Sequence, residues 1–450
     1  MPGEGERQRA GGRGSAGEGE RQRAGGRGGR VVDPFTLSDD ELAALLAGQP
    51  HYRLRQVRGW LARGIADPAV MSDLPKDLRA RLAEVFPRTP ATLRHVTADG
   101  GLTHKVLLEL ADGEAIESVL LCYPRSGADR RGRATVCIST QAGCAMACPF
   151  CATGQAGLRR QLRPHEVVAQ VAAVERLLRE GVVTAAGVPD HLTNVVFMGM
   201  GEPLANLDTT VATLGWLTGA EGFDLSARNV TVSTIGLVPA IRRLQRLELP
   251  ITLAVSLHAP NDELRDRLVP INRRHPLADL LAACDEYAAT TRRRLTFEYV
   301  MIDGVNTAPE HARELAALLS PRRAHVNLIP MNPTPGIAWV APPVAAQRRF
   351  AEILTASGLA ATIRHNRGTD IDAACGQLYA NYQVASGRRL PMATRPPGAT
   401  AGAAAAPSPV ADRRGDSRSQ PSMADRGEGP PRPAAARSQR SGAERAATSS

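Results

Sequence analysis

The chain has few cysteines, seven in 450 residues, and they are too sparse for a disulfide-stapled secreted fold. Its first thirty residues contain no apolar core of the kind a signal peptide carries. No stretch approaches the roughly 18 consecutive apolar residues that a membrane helix needs. Together these absences predict a cytoplasmic protein with no membrane partner. In such a reducing setting, clustered cysteines imply metal binding or catalysis.

The chain is basic, with a net charge of +10, but the excess is unevenly placed. Residues 1–30 carry seven Arg and four Glu, and residues 391–450 carry nine Arg and five acids. The 360 residues between them hold 39 basic and 36 acidic groups, so bulk charge says little about a nucleic-acid-binding core. Local clusters say more: Arg130, Arg131 and Arg133, then Arg292 to Arg294, then Arg322 and Arg323. Each alone is more often a solvated face than a phosphate site. The N-terminal tail repeats GEGERQRAGGRG at 3–14 and 17–28, and the C-terminal tail is Ala, Pro, Ser, Gly and Arg. Neither has the apolar surface to offset ordering entropy, so residues 1–32 and 391–450 are expected to be disordered.

Ordered structure is expected from Asp33. Ser38 and Glu41 form an S-x-x-E capping box ahead of Leu42, Leu45 and Leu46, and two further helical stretches follow near 53–63 and 76–85. Residues 33–90 therefore read as a small helical domain. Residues 91–133 read as a β-hairpin extension and linker, with the turn at Asp112-Gly113. From residue 134 to 390, strands alternate with amphipathic helices. The strand candidates are 134–139, 193–198, 228–233, 250–257, 295–302 and 324–330. Six βα units predict an α/β fold with a parallel sheet, either a partial barrel or doubly wound, and place function at the C-terminal ends of the strands.

Polar groups do gather there. Cys144, Cys148 and Cys151 follow the first strand, and MGMGEP follows the second. Ser233 ends the third, Ser256 and His258 end the fourth, and Asn332 follows the sixth. Singly, Ser233 reads as a helix cap, His258 as a satisfied loop histidine and Gly-Glu-Pro as a turn. Jointly, beside a metal motif, they point to a cofactor site.

Three thiolates make an incomplete ligand set for a structural metal. They suit a [4Fe–4S] cluster whose fourth iron stays open to bind a second cofactor. The competing reading is zinc completed by a distant residue such as His165, but no second cysteine pair is present. The C-x₃-C-x₂-C spacing just after the first strand resembles the radical S-adenosylmethionine (SAM) superfamily.

With FMGMGEPLAN, VSLHAPNDELRDRLVPIN, LIPMNPTPG and IDAACGQL, the chain more closely resembles the radical SAM 23S ribosomal RNA adenine C2 methyltransferases. The resemblance runs from about Phe35 to Leu390. It implies a partial (β/α)6 radical SAM barrel, a helical N-terminal domain that contacts RNA, and SAM contacts from Gly201, Glu202, Ser233, the Ser256-Leu257-His258 stretch and Asn332. It implies 23S rRNA as partner (adenine 2503), with tRNA (adenine 37) as a further substrate. An electron donor such as flavodoxin or ferredoxin and a monomeric state are expected.

Adenine C2 is electron-poor and cannot attack a sulfonium methyl directly. The resemblance implies a bypass using two SAM molecules per turnover. One methylates Cys375, and the other provides the radical that activates the S-methyl group for addition to the ring. Cys137 then attacks the Cys375 sulfur, releasing the methylated base and leaving a disulfide. The family's general base matches Glu117, which alternates onto one strand face with Val119 and Leu121, an apolar setting suited to a raised pKa. The link from Glu117 to Cys137 is longer than the family leads one to expect. Cys122 and Cys284 read as structural. Two rivals stand: a relative methylating adenine C8, and a non-catalytic zinc-bearing RNA-binding protein.

Overall fold

The computed structural model describes residues 31–126, 131–334 and 336–378. Residues 1–30 of the expected N-terminal tail, the whole expected C-terminal tail, Arg130 and residues 379–390 of the expected barrel lie outside the described residues. Val32, placed in the N-terminal tail by the sequence, donates its N–H to the Val85 carbonyl at 2.8 Å.

The chain first forms three helices, α1 (Asp39–Leu45), α2 (Tyr52–Ala62) and α3 (Lys76–Val85). The capping box is present: Ser38 Oγ accepts from Glu41 N at 3.3 Å, and Ser38 N donates to Glu41 Oε2 at 2.8 Å. Leu42, Val57, Leu61, Leu78 and Leu82 build a small core that meets the rest of the protein through Val168, Trp216 and Phe223. Asp33 fastens this unit further, its Oδ2 lying 2.7 Å from His165 Nδ1.

Strands β1 (Ala91–Ala98), β2 (Thr103–Glu109), β3 (Ala115–Tyr123) and β4 (Arg133–Cys137) pair antiparallel in sequence. They continue without a break into a parallel run: β7 (Asn194–Phe197), β8 (Val230–Thr234), β9 (Thr252–Ser256), β10 (Leu295–Met301), β11 (Ala324–Pro330) and β12 (Ala360–Ile363). The hairpin turning at Asp112-Gly113 is thus part of one ten-stranded open sheet. A separate ribbon of β5 (Gln141–Gly143) and β6 (Leu158–Gln161) closes the base of the cysteine loop. Gly143 has to be glycine there: it sits at φ +78°, and a Cβ would fall 1.9 Å from the Gly157 carbonyl oxygen.

The crossovers carry α4 (Ala152–Gln155), α5 (Pro164–Arg179), α6 (Leu207–Thr218), α7 (Val238–Gln245), α8 (Asp262–Leu268), α9 (Leu277–Thr291), α10 (Pro309–Leu319) and α11 (Val344–Ala356). In α5, Pro164 at the first turn and Glu166 reaching back to Arg163 N start the helix, and Val167, Val171, Val174 and Leu178 form its buried stripe. Each of the six expected strands leads into a helix, which makes the fold a partial radical SAM barrel. One further parallel strand, β12, completes the sheet edge. It is four residues long with partly exposed side chains, so no apolar run marks it in the sequence.

Candidate active site

At the C-terminal ends of these strands lies an open cavity with about 1040 Å³ of empty space, its mouth included. Cys144, Cys148 and Cys151 line one side. Gly201, Glu202, Ser233, Ser256, His258 and Asn332 line it as well, so five strands bring their predicted groups to one place. Leu257, between Ser256 and His258, has its side chain fully buried in the main core, which leaves only its backbone to face the cavity.

Gly201 has φ +104°, and a Cβ there would meet the Gln141 side chain at 2.6 Å, so only glycine lets the turn after β7 approach β5. That turn presents Glu202, whose Oε1 accepts from Leu204 N at 3.0 Å and Oε2 from Ile235 N at 2.8 Å. Burial outweighs these bonds and pushes its pKa up to about 7. His258 is buried in a left-handed conformation, and its Nδ1 accepts from Val300 N at 3.0 Å. Burial, helped by the nearby Arg265 charge, lowers its pKa to about 3, so the ring is neutral with its proton on Nε2. Ser233 caps no helix; its hydroxyl donates to the Phe197 carbonyl at 2.6 Å, joining β8 to β7.

Cys137 and Cys375 come together. Both line a second cavity, with about 590 Å³ of empty space, which shares Met198, Ile329, Asn332, Arg364, Cys375 and Leu378 with the first. Asn332 Nδ2 donates to the Cys375 carbonyl at 2.8 Å, and Ala152 N donates to Gly376 O at 2.8 Å. The Cys375 loop is thereby pinned between the end of β11 and the cysteine loop. Burial first, and then the neighbouring Cys375, pushes the Cys137 thiol up to about 12. All seven cysteines are free, so a disulfide between Cys137 and Cys375 is not a feature of the resting fold. Cys122 and Cys284 are buried in the main core, as structural thiols are.

Glu117 is 4 % exposed and lies on the same face of β3 as Val119 and Leu121, which line the second cavity. Its surroundings are not purely apolar: Lys105 Nζ is 2.8 Å from Glu117 Oε1. Two charged groups escaped sequence reasoning. Glu298, buried on β10, and Arg364, after β12, both line the main cavity. Burial raises the Glu298 pKa, while Cys375 first and then Glu298 hold Arg364 firmly protonated. An isolated acid inside the apolar run LTFEYVM was the available signal for Glu298.

The residues fit the implied cofactors. Asn332 Oδ1 is buried at the cavity without a hydrogen-bond partner, an acceptor left for a ligand. Among the described residues no three His, Cys, Asp or Glu side chains converge on a single-ion site. Cys144, Cys148 and Cys151 nevertheless lie near one another: after burial, Cys151 adds to the rise in pKa of both Cys144 and Cys148, and Cys144 to that of Cys148. A cubane takes each thiolate on a different iron, so it suits such a spread trio better than one zinc ion does. His165 cannot serve as a fourth ligand, since Asp33 holds it away from the cavity.

The fold and this site define a radical SAM enzyme, and residues 138–316 match the Radical SAM superfamily. Its cofactors are a [4Fe–4S] cluster and S-adenosylmethionine. The chain is 49 % identical over 350 residues to the Probable dual-specificity RNA methyltransferase RlmN of Salinispora tropica, covering 77 % of this chain and 92 % of that one. It is 52 % identical over 363 residues to the protein of the same name from Parafrankia sp., covering 78 % and 92 %. A radical SAM methyltransferase from Sphaerobacter thermophilus superposes with a TM-score of 0.71 at 48 % identity, covering 78 % of this chain and all of that one. The chain belongs to the RlmN family of radical SAM methyltransferases. No helix among the described residues is long and apolar enough to cross a membrane.

Proposed function

We propose that this protein methylates C2 of an adenine in 23S rRNA (adenine 2503), and also adenine 37 of tRNA, with Cys375 as methyl carrier. The observation that carries this reading is the shared wall of the two cavities: Cys375 lines both, and Cys137 lines only the second. When bound at the three cysteines and the Glu202 to Asn332 rim, the cluster and SAM supply the methyl group and the one-electron chemistry. Every other task falls to side chains. Asn332 orients the Cys375 loop, and Arg364 places a permanent positive charge beside the Cys375 sulfur. Glu117 takes the C2 proton once the carbon on Cys375 has joined the base. Cys137 gives up its proton and attacks the Cys375 sulfur. The sulfur–carbon bond breaks with its electron pair on the carbon, which takes up a proton to become the methyl group of the base, and the two sulfurs are left as a transient disulfide. The protonated Cys137 of the resting state keeps this step from running early. The target base has to leave its stack to enter the cavity, at a cost of a few kcal/mol. The helical domain at 33–90, which contacts the RNA, and an electron donor such as flavodoxin or ferredoxin complete the reading, with the protein acting as a monomer in the cytoplasm.

Mass spectrometry of rRNA and tRNA from a deletion strain, with and without the gene restored, tests it. The expected product is 2-methyladenosine in both RNAs. Finding 8-methyladenosine instead would assign the chain to the C8 chemistry.

A further inference from the structure

Strands β2 and β3, with the turn that leads from β1 into β2, face the Cys375 loop, and three contacts join them. Gly368 N donates to Asp99 Oδ2 at 3.0 Å, Arg367 Nη1 donates to the Cys122 carbonyl at 2.7 Å, and Lys105 Nζ donates to the Asp372 carbonyl at 3.2 Å. The third differs from the others, because the same ammonium is 2.8 Å from Glu117 Oε1. Both partners are sequestered, the Lys105 side chain 14 % and the Glu117 side chain 5 % exposed.

Strand register explains the pairing. Lys105 stands opposite Val119 and Leu107 opposite Glu117, so Lys105 and Glu117 are diagonal neighbours on one face. That face continues through Val119 and Leu121 into the wall of the cavity shared by Cys137 and Cys375. Lysine itself is rare in this chain, which has only Lys76 and Lys105 beside its many arginines. A compact ammonium with three rotatable donors can meet a carboxylate and a carbonyl at once, where the planar guanidinium is suited to a bidentate fork. Asp372 turns its carbonyl toward Lys105 from a left-handed conformation at φ 52°, three residues before Cys375.

We propose that Lys105 is a positioning residue: it ties the Glu117 carboxylate to the Cys375 loop, holding the proton acceptor and the methyl carrier in register with each other. The catalytic half of this statement rests on the assignments of Glu117 and Cys375 made above. A buried carboxylate is costly as an anion unless a positive group lies beside it, and the anion is the form that accepts a proton. The ammonium therefore serves both needs, charge and placement, from one atom.

The test uses the full-length, cluster-loaded protein as wild type, Lys105→Met and Lys105→Arg. Two readouts are taken: hydrogen exchange of segment 368–376, and RNA-linked protein on a denaturing gel over time. In Lys105→Met, exchange in that segment is expected to quicken about tenfold while the helical unit keeps its protection. Adduct should form but persist, with release slowed about tenfold for want of a well-placed base. Lys105→Arg, which keeps the charge, should restore both to within about threefold. Unchanged exchange in segment 368–376, release at the wild-type rate, or a loss of protection across the whole fold would each overturn the proposal. Local quickening with no RNA-linked protein, in this variant and in Cys137→Ala alike, would instead refute the roles given to Cys375 and Glu117 and leave the tether standing.

Discussion

Replacing Arg265 with Met should unfasten the rim of the active site from beneath. The Arg265 side chain is 0 % exposed, yet it carries a charge. Its Nε donates to the Leu257 carbonyl at 3.1 Å and its Nη1 to Asn272 Oδ1 at 2.7 Å. Its Nη2 donates to the carbonyls of Ile235 at 2.7 Å and Ser256 at 3.2 Å. The guanidinium thus rivets the ends of β8 and β9, where Ser256 and His258 enter the cavity. Four hydrogen bonds from a cation, at the low end of about 1.5 kcal/mol each, contribute roughly 6 kcal/mol. Burial pulls the Arg265 pKa from 12.5 to about 10, an offset of roughly 3 kcal/mol at about 1.4 kcal/mol per unit. The net loss on Arg265→Met is then about 3 kcal/mol, or a melting temperature lower by roughly 6 °C in a domain of this size. SAM affinity should fall about tenfold, since the freed strand ends no longer hold the rim. Thermal unfolding followed by circular dichroism, with equilibrium dialysis of SAM, measures both. A variant that melts within a degree of wild type and binds SAM normally would refute the rivet.

Cys375→Ala should yield neither methylated RNA nor protein–RNA adduct, whereas Cys137→Ala should stall with RNA attached; a denaturing gel separates the two, and soluble cluster-bearing Cys137→Ala without RNA would remove Cys137 from the reaction. Cys148→Ala should lose its iron and its SAM cleavage while melting near the wild-type temperature, because the ligand sits in a loop; iron analysis and circular dichroism check this. Burial raises the Glu202 pKa from 4.5 to about 7, so folding holds a proton that the unfolded chain releases above 4.5. Its contribution to stability therefore falls as pH rises from 4.5 to 7, while affinity for the cationic SAM, if Glu202 binds it as proposed, is expected to rise toward pH 7 as the carboxylate ionises. Dialysis between pH 6 and 8 should show this slope in wild type and none in Glu202→Gln.

Much of the site was legible in order along the chain. Three cysteines after a strand, glycines before Glu202, and polar residues closing otherwise apolar strands are local patterns. Parallel βα topology carries all strand ends to one rim, so their convergence followed from periodicity and connection rules alone. The capping box at Ser38 and Glu41 was legible for the same reason: its partners are three residues apart. What the sequence could not determine depends on contacts between distant segments. Arg265 reads as one more helix-surface charge in NDELRDRL until folding encloses it. Lys105 meets Asp372 across 267 residues, and the half-buried Arg364 reaches the cavity from the end of a short edge strand with no apolar signature. Leu257 shares a motif with Ser256 and His258, yet its side chain packs into the core. Residue type and spacing determined which chemistry this protein holds; only tertiary packing decided which charges lose their water and which thiols meet, because desolvation and pairing belong to the folded neighbourhood and to no single segment.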